Sequence, residues 1–291
     1  MNLFITGATG GLGQPLATLL AAQGHHITLL SRKPGPSGHG SVVHGDLLNA
    51  DTYAQALPGH DAVLHLAAVT HSPSPDKYYA ANVLGTGAMV RAARLAGVRR
   101  FIFISTRAVG RACGAYGESK AMAEEAVRQS GLDWTILRPG EVYDGSGGEA
   151  VDRMIESVQR GHFVPYVADS RAQLAPVHLD DVLQAIAATL TSPASIGRAY
   201  TLAGPEVFTQ GEMIRMLRTI CPGPRLLLPV PALMLWAAAL VFRALRLENP
   251  PFVADQIPRL LCPKESDISP AHADLGFTPR PLRQGVARCP R

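Results

Sequence analysis

Tyr116 and Lys120 stand four residues apart in the run Tyr116-Gly117-Glu118-Ser119-Lys120. At the start of a helix that spacing puts both side chains on one face. A lysine ammonium held there stabilises a phenolate and lowers the tyrosine pKa, making the phenol a general acid or base near neutral pH. Ser105-Thr106 lies just upstream. A hydroxyl at a strand end can hold a carbonyl or alcohol oxygen against the tyrosine, so Tyr116, Lys120, Thr106 and Ser105 form the expected catalytic set. Glu118 is expected to point away from the Tyr/Lys face.

A second constellation opens the chain. The run Thr6-Gly7-Ala8-Thr9-Gly10-Gly11-Leu12-Gly13 follows the apolar segment Asn2–Thr6 and precedes a helical apolar pattern from Leu16 to Ala22. Strand, glycine turn and helix in that order make a cradle for a dinucleotide pyrophosphate. Gly7 permits the tight turn, Gly10 lets backbone approach the phosphates, and Gly13 lets helix and strand pack closely. The free amides and positive dipole end of the helix then face the anion. Thr9, Gly11 and Leu12 complete the expected cofactor-binding turn. At the end of the second strand stands Ser31, followed by Arg32 and Lys33. An acid there would bind a ribose 2′-hydroxyl, whereas two cations suit a 2′-phosphate. NADP(H) is therefore favoured over NAD(H), which the site can also accept.

These residues need a scaffold, and the apolar patterning supplies one. Strand-like runs fall at Asn2–Thr6, Ile27–Ser31, Ser41–His44, Ala62–Leu66, Phe101–Ser105 and Trp134–Arg138. Helical patterns fall at Gln14–Gln23, Asp51–Leu57, Asn82–Ala96 and Tyr116–Ser130. Alternation of the two predicts an α/β fold, a Rossmann-type doubly wound parallel sheet, with ligands outside the carboxyl ends of the strands. After about Pro139 the alternation gives way to short elements punctuated by Gly and Pro. The expected division is a dinucleotide-binding domain over residues 1–165, joined by 174–203, and a small α+β substrate lobe from 140–173 and 204–291.

A chain of 291 residues with 47% hydrophobic and 17% charged residues can bury one large core with an attached lobe. Net charge is +4, with no dense basic block or interleaved aromatic stripe of the kind that binds nucleic acid. The four cysteines (Cys113, Cys221, Cys262 and Cys289) show no metal-ligand spacing. They read as free thiols in a reducing compartment, with no metal site. The first strand begins at residue 2, so a cytoplasmic protein is expected. Leu226–Phe242 is a run of 17 apolar residues closed by Arg243 and Arg246. Pro229 and Pro231 leave a helix too short for a bilayer span, so it is either buried or a peripheral membrane contact.

Taken in order, the motifs carry a family resemblance. They are Thr6-Gly7-x-x-Gly10-x-x-Gly13, Gly45-Asp46-Leu47, His65-Leu66-Ala67-Ala68, Asn82-Val83-Leu84-Gly85-Thr86, Ser105-Thr106, Tyr116-x-x-x-Lys120, Leu137-Arg138-Pro139-Gly140 and Val177-His178-Leu179-Asp180-Asp181-Val182. The chain resembles the extended short-chain dehydrogenase/reductases, the family of NAD(P)-dependent epimerases, dehydratases and reductases. The resemblance implies that Asp46, beside Leu47, accepts from the adenine amino group. It implies that Leu66, Ala67 and Ala68 let ribose and pyrophosphate lie over the fourth strand. Lys120 would hold the nicotinamide ribose, Pro139 would lead into a loop at the carboxamide, and Asn82 would sit on the cofactor side as a family asparagine. His178, Asp180 and Asp181 would tie the sheet to the second lobe. A homodimer through the helices Asn82–Ala96 and Tyr116–Ser130 is also implied.

Three departures place the chain in a shortened branch, similar to the NAD(P)H-binding accessory subunit of respiratory complex I. Thr106 and Tyr116 are only ten residues apart, Arg171-Ala172-Gln173 replaces an Arg-Asp-Phe approach, and Asp144 replaces a glycine. The expected function is an NAD(P)-dependent oxidoreductase or epimerase acting on a hydroxyl or carbonyl carbon of a nucleotide sugar or a lipid-linked relative. The alternative is a non-catalytic NADP(H)-binding sensor or assembly protein.

Overall fold

The computed structural model describes residues 1–32, 40–145, 150–160, 162–169, 171–220, 226–245 and 254–286. Lys33, Cys221, Arg246 and Cys289 lie outside the described residues. The elements begin with β1 (Asn2–Thr6), α1 (Gly13–Ala22), β2 (His26–Ser31), β3 (Ser41–His44) and β4 (Ala62–His65). Next come α2 (Pro75–Tyr78), a π-helical turn (Tyr79–Leu84), α3 (Gly85–Leu95), β5 (Arg100–Ile104), α4 (Gly114–Arg128) and β6 (Asp133–Pro139). Then follow β7 (Val142–Tyr143), α5 (Ala150–Arg160), β8 (Phe163–Val167), β9 (Gln173–Leu174), β10 (Val177–His178) and α6 (Leu179–Thr189). The chain closes with β11 (Arg198–Leu202), β12 (Phe208–Thr209), α7 (Gln210–Ile220), β13 (Leu226–Val230), α8 (Ala232–Ala244), α9 (Gln256–Leu261), α10 (Ser269–Leu275) and α11 (Leu282–Val286).

Seven strands form one sheet in the order β11-β6-β5-β4-β1-β2-β3, every pair parallel. The order reverses between β1 and β4, where Thr6 lies opposite His65. That reversal opens a crevice at the strands' carboxyl ends. Strand periodicity divides the core cleanly. Leu3, Ile5, Leu64, Ile102 and Ile104 face a cluster that takes in α1 and α6. Phe4, Val63, Phe101 and Phe103 face the opposite cluster with α3 and α4. A sheet covered on both faces needs unbroken apolar strands, which these are. A separate small core under the lobe joins Tyr143, Val151, Ile155, Val164, Met213 and Leu217.

Two expected elements come out differently. Asp51–Leu57 is not an α-helix but a pair of 3-10 turns, Ala50–Thr52 and Ala54–Ala56. Pro58 follows immediately, and a segment this short cannot repay helix nucleation. The helix expected from Asn82 instead begins at Pro75, with Ser74 before it and the π turn within it. The strand at the sheet's far edge, β11, pairs parallel with β6.

Candidate active site

At the end of β1 the backbone turns at Gly7 with φ +75°, and a Cβ there would sit 2.6 Å from the Ala67 nitrogen. A Cβ on Gly13 would collide with the Gly7 carbonyl oxygen. Both glycines are thus demanded by the protein itself, because β1, α1 and the end of β4 meet there. Gly10 differs: a Cβ would meet nothing nearer than the Gly7 oxygen at 3.4 Å. Thr9, Gly10 and Gly11 form the exposed rim, and Leu12 is half-buried behind them. Helix α1 starts with no side-chain cap and no acid in its first turn. Its N-terminal amides and dipole therefore suit an anion, and the cradle fits the pyrophosphate of a dinucleotide.

The rest of the crevice rim follows from the same strand ends. Leu66, Ala67 and Ala68 are half-buried beyond β4. The Ser31 carbonyl accepts from the Gly45 amide at 3.0 Å, and the His44 ring bonds the Arg32 carbonyl oxygen at 2.8 Å. Arg32 and Asp46 are exposed on this corner, Asp46 accepting the Leu48 amide at 2.9 Å. Leu47 is half-buried, pressed against the helix that starts at Gly85. Ser31, Arg32 and Asp46 are therefore brought to one corner of the crevice. Below them, His65 lies between Thr6 and Thr86 at 2.7 and 3.0 Å. Burial, with Lys120's charge adding to it, pushes its pKa down to about 3, so it is a neutral strut.

Asn82 is held within the protein. It is 1% exposed, and its amide is engaged within the protein. Its Oδ1 accepts from the Val69 amide at 2.8 Å, while its Nδ2 donates to the Val69 carbonyl and to Ser119 Oγ. Ser119 in turn donates to the Tyr116 carbonyl at 2.7 Å. Asn82 is a clip between the loop after β4 and the helix that carries Tyr116. Its place in the π turn aims it at both.

Tyr116 and Lys120 share the inner face of α4, with relative exposures of 6% and 1%. Lys120 Nζ donates to the Ile104 carbonyl at 2.8 Å and lies 4.1 Å from the Phe103 ring centroid. Burial drives its pKa down to about 7, against the opposing pull of Glu124. Tyr116 packs edge-on to Tyr78, with centroids 5.8 Å apart. Glu118 points outward and pairs with Arg111, as expected. Thr106, half-buried past the end of β5, accepts the Ala108 amide on its hydroxyl at 3.1 Å. Pro139 is buried at the end of β6, its carbonyl accepting from the Arg107 amide.

Ser105 is placed differently from Thr106. Its hydroxyl donates at 2.6 Å to Glu124 Oε1, away from Tyr116. Glu124 also receives Arg138 and Arg128. Burial alone would raise the Glu124 carboxyl, but hydrogen bonds from Arg138, Ser105 and Arg128 outweigh it and hold the pKa low. The Leu-Arg-Pro-Gly motif and Ser105 thus meet on one buried carboxylate.

The C-terminal quarter of the chain also packs against Tyr116, through residues that no motif marked. Asp255 accepts the amides of Ala115 at 2.6 Å and Tyr116 at 3.4 Å, capping α4 across about 140 residues. Gly114, at φ +78°, is needed for that approach, since a Cβ would stand 2.6 Å from the carboxylate. Arg259, one turn on, lies over the Tyr116 ring and donates to the Thr70 carbonyl. Cys113 and Cys262 are joined in a disulfide, Cα atoms 5.2 Å apart. This overturns the expectation of free thiols at both positions: residues 149 apart in sequence meet beside Tyr116. His178 and Asp181 hold the lobe as expected, His178 capping α6 and Asp181 pairing with Arg280. Arg171 forms an exposed pair with Asp169.

The cradle and the Tyr-Lys face together agree with relatives of known type. The family described as NAD(P)H-binding matches residues 7–193. The chain belongs to that family. A 2-alkyl-3-oxoalkanoate reductase of Stenotrophomonas maltophilia is 26% identical over 99% of this chain and 98% of its own length. A 3 beta-hydroxysteroid dehydrogenase/Delta 5-->4-isomerase of Mycobacterium tuberculosis is 27% identical over 99% and 89%. The solved structure of MoeE5 in complex with UDP-glucose and NAD superposes with a TM-score of 0.76 at 23% identity, covering 99% of this chain and 97% of that one. Its likeness establishes the fold. This NAD(P)H-binding protein is an enzyme of the short-chain dehydrogenase/reductase superfamily, an NAD(P)-dependent oxidoreductase or epimerase.

Proposed function

We propose that the protein is an NADP(H)-dependent reductase or dehydrogenase acting on a ketone or secondary alcohol of a lipophilic substrate. The observation that carries this reading is the shared inner face of Tyr116 and Lys120, set where β4 and β5 end beside the glycine cradle. The bound nicotinamide supplies or accepts the hydride. Tyr116 gives its phenolic proton to the carbonyl oxygen in reduction and takes it back from the hydroxyl in oxidation. Thr106 orients that oxygen, and Lys120 holds the nicotinamide ribose and stabilises the phenolate. Arg32, with the acid-free end of β2, favours a 2′-phosphate, which supports NADP(H) over NAD(H).

Two full-length relatives named for an oxoalkanoate and a hydroxysteroid support a lipophilic skeleton. The expected nucleotide sugar draws its support from fold likeness alone. Leu84, Leu95 and Met122 stand exposed along the helical layer expected to pair in a homodimer, which supports that assembly.

Calorimetric titration with NADPH and NADH, on the parent and on Arg32→Ala, tests the cofactor reading. Turnover of 3-oxoalkanoates, 3β-hydroxysteroids and UDP-sugars by the parent and by Tyr116→Phe tests the chemistry. Selective weakening of NADPH in the first variant is expected. In the second, a loss of roughly 10²–10⁴ in rate is expected at unchanged cofactor affinity. Turnover that survives Tyr116→Phe would overturn the assignment.

A further inference from the structure

Helix α8 presents an apolar face to solvent. Leu233, Met234, Trp236, Ala237, Leu240, Val241, Ala244 and Leu245 recur at helical spacing, and all are exposed, Leu233 at 79% and Leu245 at 65%. The opposite side, with Leu235, Ala239 and Phe242, is turned inward, and Ala239 is buried. A surface helix of a soluble protein carries its polar residues outward. This one inverts that rule over its full described length. The strands leading into it add exposed Phe163, Leu226 and Leu228.

The charge of the surrounding stretch of chain is one-sided. Between Glu212 and Glu248 the chain has five arginines (Arg215, Arg218, Arg225, Arg243 and Arg246) and no acid or lysine. That segment is more basic than the whole protein, whose net charge is +4. Arg215 and Arg218 are exposed on α7, Arg225 immediately precedes β13 in sequence, and Arg243 and Arg246 bracket the end of α8.

We infer that α8 docks on an anionic lipid surface, lying along it. A 13-residue helix is about 20 Å long, short of the ~30 Å hydrocarbon core. No described helix is long and apolar enough to cross a membrane. An apolar face with a tryptophan on it, in a stretch of chain whose only charges are arginines, suits the boundary of headgroup and acyl chain. A second copy of the chain fits the face less well. A two-fold contact would bring the same stretch together twice, and that stretch carries no acid to meet its arginines. Docking here would bring the membrane to the part of the lobe that touches α9, the helix that lays Arg259 over Tyr116. The inference goes beyond the reductase reading and does not depend on it.

The test is co-sedimentation of the full chain with vesicles of phosphatidylcholine, alone or mixed two to one with phosphatidylglycerol. The parent is expected to partition at least ~10-fold more strongly to the mixed vesicles, because each arginine contributes roughly fivefold at an anionic surface. Added salt is expected to weaken the binding. The double variant Leu233→Asp/Leu240→Asp is expected to lose it, with NADPH affinity and thermal midpoint unchanged. Should that variant fail to fold, Trp236 emission decides: a blue shift with mixed vesicles, absent in Trp236→Phe, supports docking. Equal or negligible binding to both vesicles would overturn the inference. So would a parent dimer that the double variant converts to monomer, since the face would then be a contact between copies.

Discussion

Arg259 sets its guanidinium carbon 4.6 Å from the centroid of the Tyr116 ring, although the two residues stand 143 positions apart in sequence. The guanidinium also donates to the Thr70 carbonyl at 2.9 Å, so it bridges the loop after β4 and the helix of the tyrosine. A cation over an aromatic face is worth about 0.5–2 kcal/mol, depending on how dry it is. Arg259→Ala is therefore expected to lower kcat/KM by roughly 2- to 30-fold while leaving the NADPH dissociation constant unchanged. Arg259→Lys is expected to recover only part, because the planar guanidinium stacks where an ammonium does not. Steady-state kinetics beside calorimetry on both variants checks this, and an unchanged kcat/KM in Arg259→Ala would refute it.

Ser105 and Thr106 are adjacent hydroxyls with opposite duties. Ser105 serves Glu124, a fully buried carboxylate shared with Arg138 and Arg128. Removing a hydrogen bond to a buried charge costs about 1.5–3 kcal/mol. Ser105→Ala is expected to lower stability by that order in chemical denaturation and to leave kcat within about threefold, because its hydroxyl is committed to Glu124. Glu124→Gln is expected to cost more, about 3–5 kcal/mol, since two arginines lose their counter-charge. Thr106→Val is expected to do the reverse of Ser105→Ala: normal stability and a rate loss of an order of magnitude or more. A Thr106→Val enzyme with full turnover would remove Thr106 from the site.

Much of this was legible because it is local. The glycine turn, Tyr116 with Lys120, and the alternation of strands and helices each occupy a short stretch, so spacing alone places them. Even the outward turn of Glu118 follows from helical geometry. The clip made by Asn82 is half-legible: the residue stood out, but its partners Val69 and Ser119 depend on the π turn, which no propensity announces. Asp255, Arg259 and Cys262 were invisible for a different reason. Their partners lie about 140–150 residues upstream, and a lone Asp or Arg in a Pro-rich segment carries no periodic signal. Scattered cysteines mislead in the same way, since pairing is set by the fold and not by spacing.

The disulfide yields a prediction of its own. Cys113 lies just before α4 and Cys262 just after α9, so the bond fastens the helix of Asp255 and Arg259 against that of Tyr116. Linking residues 149 apart removes a large loop from the unfolded ensemble. The chain-entropy account gives about 5 kcal/mol, and measured disulfides usually give about 2–4. Cys113→Ser/Cys262→Ser is expected to lower the thermal midpoint and to speed hydrogen exchange at the amides of Ala115 and Tyr116 more than in the sheet. Tris(2-carboxyethyl)phosphine is expected to do the same to the parent and nothing further to the variant. A parent whose midpoint ignores the reductant would show that the bond contributes no stability.

Lys120 carries the last prediction, and its sign follows from where it lies. The pKa of a lysine is ordinarily near 10.5, and burial brings that of Lys120 to about 7 in the folded protein. Between those values the unfolded chain binds more protons than the native one, so stability rises with pH across about 7 to 10.5. Below about 7 both states are protonated and the full penalty of the buried charge persists. Lys120→Met removes that penalty. The cofactor-free variant is therefore expected to be more stable than the parent at pH 6–7, with a flatter stability profile between pH 7 and 10 in chemical denaturation. The same variant is expected to lose turnover by roughly 10²–10⁴. On the proposed mechanism, the native chain tolerates a destabilising cation because the chemistry at Tyr116 requires one. A Lys120→Met protein less stable than the parent at pH 6–7 would mean that the bond to Ile104 and the contact with Phe103 outweigh the cost of burying the charge.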